Sequence, residues 1–195
     1  MTLTYDPATA LVVVDVQNDF ADPAGSLAVA GGPEVVAATN AEVAAAAGAG
    51  AVVVYTQDWH PADTPHFAKD GGTWPVHCVQ GTWGAQLHPD LVVRGDVLRK
   101  GEHGEDGYSG FTMRDPVSGK SVPTALAGLL RERGVERLVV VGLATDYCVR
   151  ATALEGREHG WPVVVPWDAV AAVDLEPGDG ERTRQELLDA GVEVE

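Results

Sequence analysis

The chain has 195 residues, 45% of them hydrophobic and 22% charged, the profile expected of one globular domain spanning residues 1–195. Its net charge of −16 (13 basic against 29 acidic residues) repels phosphate backbones and anionic lipid, so neither nucleic acid nor membrane is expected as a partner. No apolar run reaches the ~18 residues of a membrane span, residues 1–7 lack the basic-then-apolar order of a secretory signal, and Cys78 and Cys148 alone make no disulfide framework, which together predict a reducing, cytoplasmic setting with both thiols free.

Valine-rich runs alternate with helical patterns along the chain. Residues 11–14 form the first predicted strand, which ends at Asp15. Pro33 and Glu34 open an alanine-rich helix that stops near Gly48, since proline suits the first helical position and an acidic residue the first turn. Residues 51–55 form the second strand. The stretch 59–89 is irregular and long, and such loops are usually functional or disordered; its aromatic residues argue for order. Residues 96–98 form a third strand leading into Lys100. Beyond it, a glycine-rich segment up to Gly119 either covers a site or serves as a surface connection. Pro123 opens a second helix with Leu126, Leu129 and Leu130 on one face and Gly134 at its end. Residues 138–141 are the strongest strand. Thr145 or Asp146 caps a third helix running to about Glu158. A strand at 163–165, a helix at 181–190 and a strand at 192–194 complete the chain. Short β-branched runs suit strands buried on both faces of a parallel sheet. The alternation implies an α/β domain, in which ligands bind beyond the carboxyl ends of the strands.

Three strand ends carry reactive groups. Cys148 follows the strongest strand and falls in the first turn of a helix. There, free backbone N–H groups and the helix dipole favour both a thiolate and an oxyanion. Local sequence alone also suits a packed, inert cysteine. Asp15, at the mouth of an apolar strand, needs a partner or a turn to cap. Lys100, taken singly, reads as a solvated lysine. Together, the three would place a thiol, a carboxylate and an ammonium in one crevice, where the acid can take the thiol proton and the cation can stabilise the sulfur. A second group, Asp58, His60, His66 and His77, gathers one carboxylate and three imidazoles within 20 residues. These are good ligands for a borderline divalent ion, and they read equally as ordinary loop residues. Phe20, Trp59, Phe67, Trp74, Trp83, Tyr108 and Phe111 either wall a pocket for a flat ring or belong to the core.

These motifs resemble the nicotinamidase branch of the isochorismatase-like hydrolase superfamily, over nearly the whole chain. The segment Val-Asp-Val-Gln-Asn-Asp-Phe places Asp15 on the family's catalytic aspartate, Arg-Lys-Gly places Lys100 on its lysine, and Gly-Leu-Ala-Thr-Asp-Tyr-Cys-Val places Cys148 on its nucleophile. Asp58, His60 and His77 match the branch's metal ligands, and His66 matches a fourth found in some members. The segments around Trp74–His77 and Tyr108–Phe111 are similar to that branch as well. The resemblance implies a three-layer α/β/α fold with a six-stranded, mostly parallel sheet, a cis peptide before Ala144, and an oxyanion hole from the N–H groups of Ala144 and Cys148. It also implies one divalent metal (zinc first, with iron or manganese as alternatives) and a ring pocket including Phe20, Trp74 and Tyr108. The implied reaction is hydrolysis of nicotinamide through a cysteine thioester in NAD salvage, with pyrazinamide as a similar ring and self-association left open. Two rivals remain at this point: another amidase of the superfamily, needing no metal-bound ring nitrogen, and a non-catalytic binding protein on the same fold.

Overall fold

The computed structural model describes residues 3–195; Met1 and Thr2, where the stretch read for a signal begins, lie outside them. In chain order the elements are β1 (Thr9–Val14), α1 (Asn18–Ala21), α2 (Gly32–Gly48), β2 (Val52–Asp58), β3 (Asp96–Lys100), β4 (Thr112–Arg114), β5 (Ser121–Pro123), α3 (Leu126–Glu132), β6 (Arg137–Leu143), α4 (Arg150–Glu158), β7 (Val163–Val165), β8 (Val170–Ala171), α5 (Asp179–Asp189) and β9 (Glu193–Val194). The central sheet runs β3-β2-β1-β6-β7-β9, with the short β8 attached to β6, and every pairing in it is parallel. The six-stranded, mostly parallel sheet expected from the sequence is therefore present, with β8 as an added seventh strand.

Strand periodicity explains the layers. Along β1, Leu11 and Val13 face one way, packing with Val35, Val36 and Val43 of α2; Ala10, Val12 and Val14 face the other, packing with Leu126 and Leu130 of α3, Ala153 of α4 and Leu187 of α5. All six residues of β1 are buried, which is why its sequence runs apolar without alternation.

Two local expectations are corrected. Pro123 does not open the second helix: it ends β5, opposite Thr112 in a two-stranded antiparallel ribbon with β4. A proline, which has no N–H to donate, is tolerated on such an edge. The helix starts at Leu126, whose N–H donates to Thr124 Oγ1 at 3.1 Å. Likewise, neither Thr145 nor Asp146 caps the helix after β6 with its side chain. The chain makes one wide helical turn, Thr145–Val149, before α4 begins. The Asp146 carboxylate instead accepts the N–H groups of Val173 at 3.0 Å and Asp174 at 2.9 Å, pinning the loop after β8.

The stretch 59–89 is ordered without becoming sheet. Gln17 clamps it: its Nε2 donates to the carbonyls of Asp58 at 2.8 Å and Ala85 at 2.9 Å, and its Oε1 accepts the Asp58 N–H at 2.8 Å. Asp19 holds a second point by accepting the Cys78 N–H at 2.7 Å. His60 is tied to the returning chain through its N–H to the Cys78 carbonyl at 3.0 Å and its carbonyl to the Gln80 N–H at 2.8 Å. A buried backbone must find such partners when it is not in a ladder.

Candidate active site

The carboxyl ends of β1, β2, β3 and β6 meet at one edge of the sheet, and the chemistry-bearing residues lie there. Asp15 is the first residue beyond β1 and turns the chain with φ 48°. Its carboxylate accepts the Thr56 hydroxyl at 2.7 Å and lies 2.8 Å from Lys100 Nζ. Lys100, the last residue of β3, is only 2% exposed, so its ammonium must be neutralised by the protein. It pairs with Asp15, makes a very short contact to Asp58 Oδ1, and lies 3.7 Å from Cys148 Sγ. The three residues that the sequence groups as thiol, acid and cation thus converge. Asp58, grouped with the histidines by its spacing, is shared between both groups.

Burial sets the charge states. It opposes the Lys100 ammonium, but Asp15, Asp58 and Cys148 hold that group charged, well above the ordinary lysine range. Burial likewise works against Asp58, yet Lys100 and His60 keep its carboxyl well below the usual value. Asp15 is pushed up, chiefly by burial, with Lys100 pulling it down and Asp58 adding to the rise. The Cys148 thiol is also pushed well up by burial, against the pull of Lys100. Burial therefore works against the thiolate that the helix start favours, and it raises the basicity of the neighbouring Asp15 carboxylate.

His60, His66 and His77 bring their ring nitrogens within 4.8 Å of one another, and all three are buried. His60 Nε2 lies 3.8 Å from Asp58 Oδ2. The Pro75 carbonyl lies 2.8 Å from His77 Nδ1, which leaves Nε2 as the free ligand atom. Burial lowers the His77 pKa to about 4, against the pull of Asp58, so its ring is neutral at pH 7, the state that binds a metal. Among the described residues His60 has no hydrogen-bond partner on either buried ring nitrogen. A buried orphan imidazole beside two others and a carboxylate fits a divalent ion of the nitrogen- and oxygen-binding class. Gly101 makes room for it: the residue has φ +80°, and a Cβ there would come within 2.6 Å of His60 Nδ1. Gly101→Ala is expected to cost about 1–3 kcal/mol and to displace the His60 ring; a lower Tm together with reduced metal content would be the measured result.

A narrow cavity of about 50 Å³ opens over these groups. On the scale of ~10–15 Å³ per water it holds only a few waters, the size of one small ring. Phe20, Leu27, Trp74, Tyr108, Tyr147 and Val173 wall it, with Asp58, His66, His77, Ala144 and Cys148 also in its lining. The aromatic residues that the sequence left undivided now separate. Phe67 and Phe111 are core, Trp83 is 47% exposed, and Trp59 stacks on Arg99 with the guanidinium 4.0 Å from its ring centre. Phe20, Trp74 and Tyr108 face the cavity. Tyr147, not singled out from sequence, packs edge-on to Trp74 at 5.0 Å; its place one residue before Cys148 was the available signal. The glycine-rich segment does two things: Gly107 and Tyr108 line the cavity, while Thr112–Arg114 pairs in the ribbon. The peptide before Ala144 is cis.

Fold and site together define an α/β protein with a thiol, acid and ammonium at the ends of parallel strands, beside a histidine cluster. The chain belongs to the isochorismatase domain family, which it matches over residues 9–184. It is 38% identical to a nicotinamidase of Acinetobacter baylyi over 94% of this chain and 90% of that one. Among solved structures it is similar to PnC1 from L. infantum in complex with nicotinate (TM-score 0.88, 39% identity, 100% and 96% of the two chains covered). It is also similar to the pyrazinamidase of Pyrococcus horikoshii in complex with zinc (TM-score 0.86, 38% identity, 97% and 99% covered).

Proposed function

We propose that the chain is a nicotinamidase: a metal-assisted cysteine amidohydrolase that converts nicotinamide and water to nicotinic acid and ammonia. The observation that carries this reading is the convergence of Cys148 with Asp15 and Lys100, with Cys148 lining a ring-sized cavity whose wall includes two of the three clustered imidazoles. The named activities of the relatives point the same way.

The residues divide the work as follows. Phe20 and Trp74 flank the pyridine ring, and Tyr108 closes its outer edge. The Cys148 sulfur attacks the amide carbon as its proton passes to Asp15, whose raised pKa suits that transfer. The N–H groups of Ala144, just before the wide helical turn, and of Cys148, within it, hold the oxyanion. When it collapses, the C–N bond breaks and Asp15 returns the proton to the leaving ammonia. Water then attacks the thioester as Asp15 takes its proton; the C–S bond breaks and Asp15 passes that proton to the leaving sulfur, releasing nicotinic acid and restoring the thiol and the carboxylate. Lys100 holds Asp15 in place and balances charge through both halves. Asp58, His60 and His77, with His66 as fourth ligand, would hold one divalent metal, zinc first and iron or manganese as alternatives. When bound, that ion supplies a Lewis-acidic position for the ring nitrogen. Pyrazinamide, with its similar ring, is a second expected substrate. A cytoplasmic setting, work in NAD salvage and a single-domain chain are part of the same proposal; among the described residues no helix is long and apolar enough to cross a membrane.

The test is ammonia release from nicotinamide by metal-loaded protein, by chelator-stripped protein, and by the His60→Ala variant. The loaded enzyme should release ammonia. Stripping or His60→Ala should lower metal content and raise the KM by about tenfold or more, the size of one lost strong polar contact. Absence of ammonia from the loaded enzyme would reject the substrate. Full activity in verified metal-free protein would reject the metal's part in it.

A further inference from the structure

Each of the three imidazoles at the metal cluster has two ring nitrogens, and the outward nitrogen decides which way the ring faces. His77 has the Pro75 carbonyl on Nδ1, while among the described residues neither ring nitrogen of His60 has a hydrogen-bond partner. His66 differs from both: its Nδ1 lies 2.7 Å from Asp106 Oδ1. That carboxylate comes from the glycine-rich segment, 40 residues along the chain and on a different loop. A carboxylate on the outer nitrogen fixes the Nδ1–H tautomer and turns the Nε2 lone pair inward. There the His66 ring stacks on His60 with 4.6 Å between centroids.

Asp106 is itself held in place by backbone. Its N–H donates to the Arg114 carbonyl at 2.7 Å, and the Arg114 N–H donates back to the Asp106 carbonyl in a short contact. Two residues further on, Tyr108 reaches over the cavity, where its hydroxyl accepts the Trp74 Nε1–H at 3.0 Å. One segment therefore touches the fourth candidate ligand through Asp106 and the ring wall through Tyr108.

We propose that Asp106 is a positioning residue that fixes His66 as the fourth metal ligand, and that through this contact the bound metal holds the Asp106–Tyr108 segment over the ring cavity. The inference rests on the metal reading given above and assigns the segment a purpose that its glycine content alone does not. Metal binding and closure of the cavity's outer wall are then one event. The substrate ring meets a wall that is in place only when the ion that anchors the ring is also in place.

The experiment measures zinc affinity by competition with a chromophoric chelator, in the wild type and in Asp106→Ala, His66→Ala and the double variant. Asp106→Ala should weaken zinc by about 10–100-fold, the usual effect of losing an outer-shell partner of a ligand, and His66→Ala, which removes the ligand itself, should weaken it at least as much. The double variant should bind no more weakly than His66→Ala alone, because Asp106 acts only through that ring. Mere loosening of the loop would multiply the two losses instead. Losses that multiply, or wild-type affinity in Asp106→Ala, overturn the proposal. A wild type that binds no zinc overturns the metal reading itself, so the two failures are distinct. As a second readout, a glutamate-specific protease is directed at Glu102 and Glu105. Zinc should slow cleavage there in the wild type and lose that effect in Asp106→Ala; equal protection in both would overturn the coupling of metal to wall.

Discussion

Cys148→Ala is expected to reduce ammonia release from nicotinamide by on the order of 10⁴-fold or more, with fold and metal content retained. The magnitude follows from the role: removing the nucleophile of a covalent mechanism leaves only binding and oxyanion stabilisation to act on water. The fold should survive because the substitution removes one sulfur at the edge of a cavity and leaves the Lys100 pairs with Asp15 and Asp58 untouched. Cys78 is the matched control. It is fully buried, its thiol is pushed well above the usual range by burial, and neighbouring carboxylates push it higher. Its backbone N–H, not its sulfur, makes the useful contact, to Asp19. Cys78→Ala should therefore turn over within a few-fold of wild type. Substantial activity in Cys148→Ala, measured on protein of verified sequence, would remove the thioester from the mechanism.

The inner strands β1, β2, β6 and β7 are readable from the sequence because they are buried on both faces and so appear as valine-rich runs, whereas the largely exposed β3 shows only a short Val-Leu pair before Lys100. From these runs followed the strand ends, and from the strand ends followed Asp15, Lys100 and Cys148. The helix after β5 was misplaced because Pro123 suits a helix start and a ribbon edge alike, and only the pairing with Thr112 decides between them. The environment of Cys148 is legible only in part: a helix start is visible in sequence, but the burial that opposes it is not. Gln17 and Asp19 were not legible as organisers. Each bonds backbone groups 41 to 68 residues away, and no local pattern marks such a partner. The sharing of Asp58 was hidden for a related reason. Its spacing to His60 shows which side of the chain it faces, but the approach of Lys100 comes from β3 pairing with β2, opposite Asp58 itself in the register. The two constellations that sequence treats as separate are one charged network.

That network gives Lys100→Ala an unusual range of effects. Among the described residues the ammonium is the only cation in contact with both Asp15 and Asp58, and it lies buried, 3.7 Å from the Cys148 sulfur. Removing one partner from a buried ionic group typically costs about 3–5 kcal/mol, because the charges left behind are uncompensated. For a chain of this size that corresponds to a Tm lower by very roughly 10 °C, at about 2–4 °C per kcal/mol. The chemistry should fail for a separate reason. Lys100 is the group that pulls the Cys148 thiol down; burial and the two carboxylates push it up. Without the lysine the sulfur titrates higher still, so a smaller fraction is thiolate at any pH below that value. The alkylation rate of Cys148 by iodoacetamide at pH 7–8 should fall, and its rise with pH should move to higher pH. Measuring that rate well below the variant's Tm separates the electrostatic effect from unfolding, since an unfolded chain would expose the thiol and react faster. An alkylation profile that coincides with wild type would detach Lys100 from the nucleophile and leave it only the task of pairing two carboxylates.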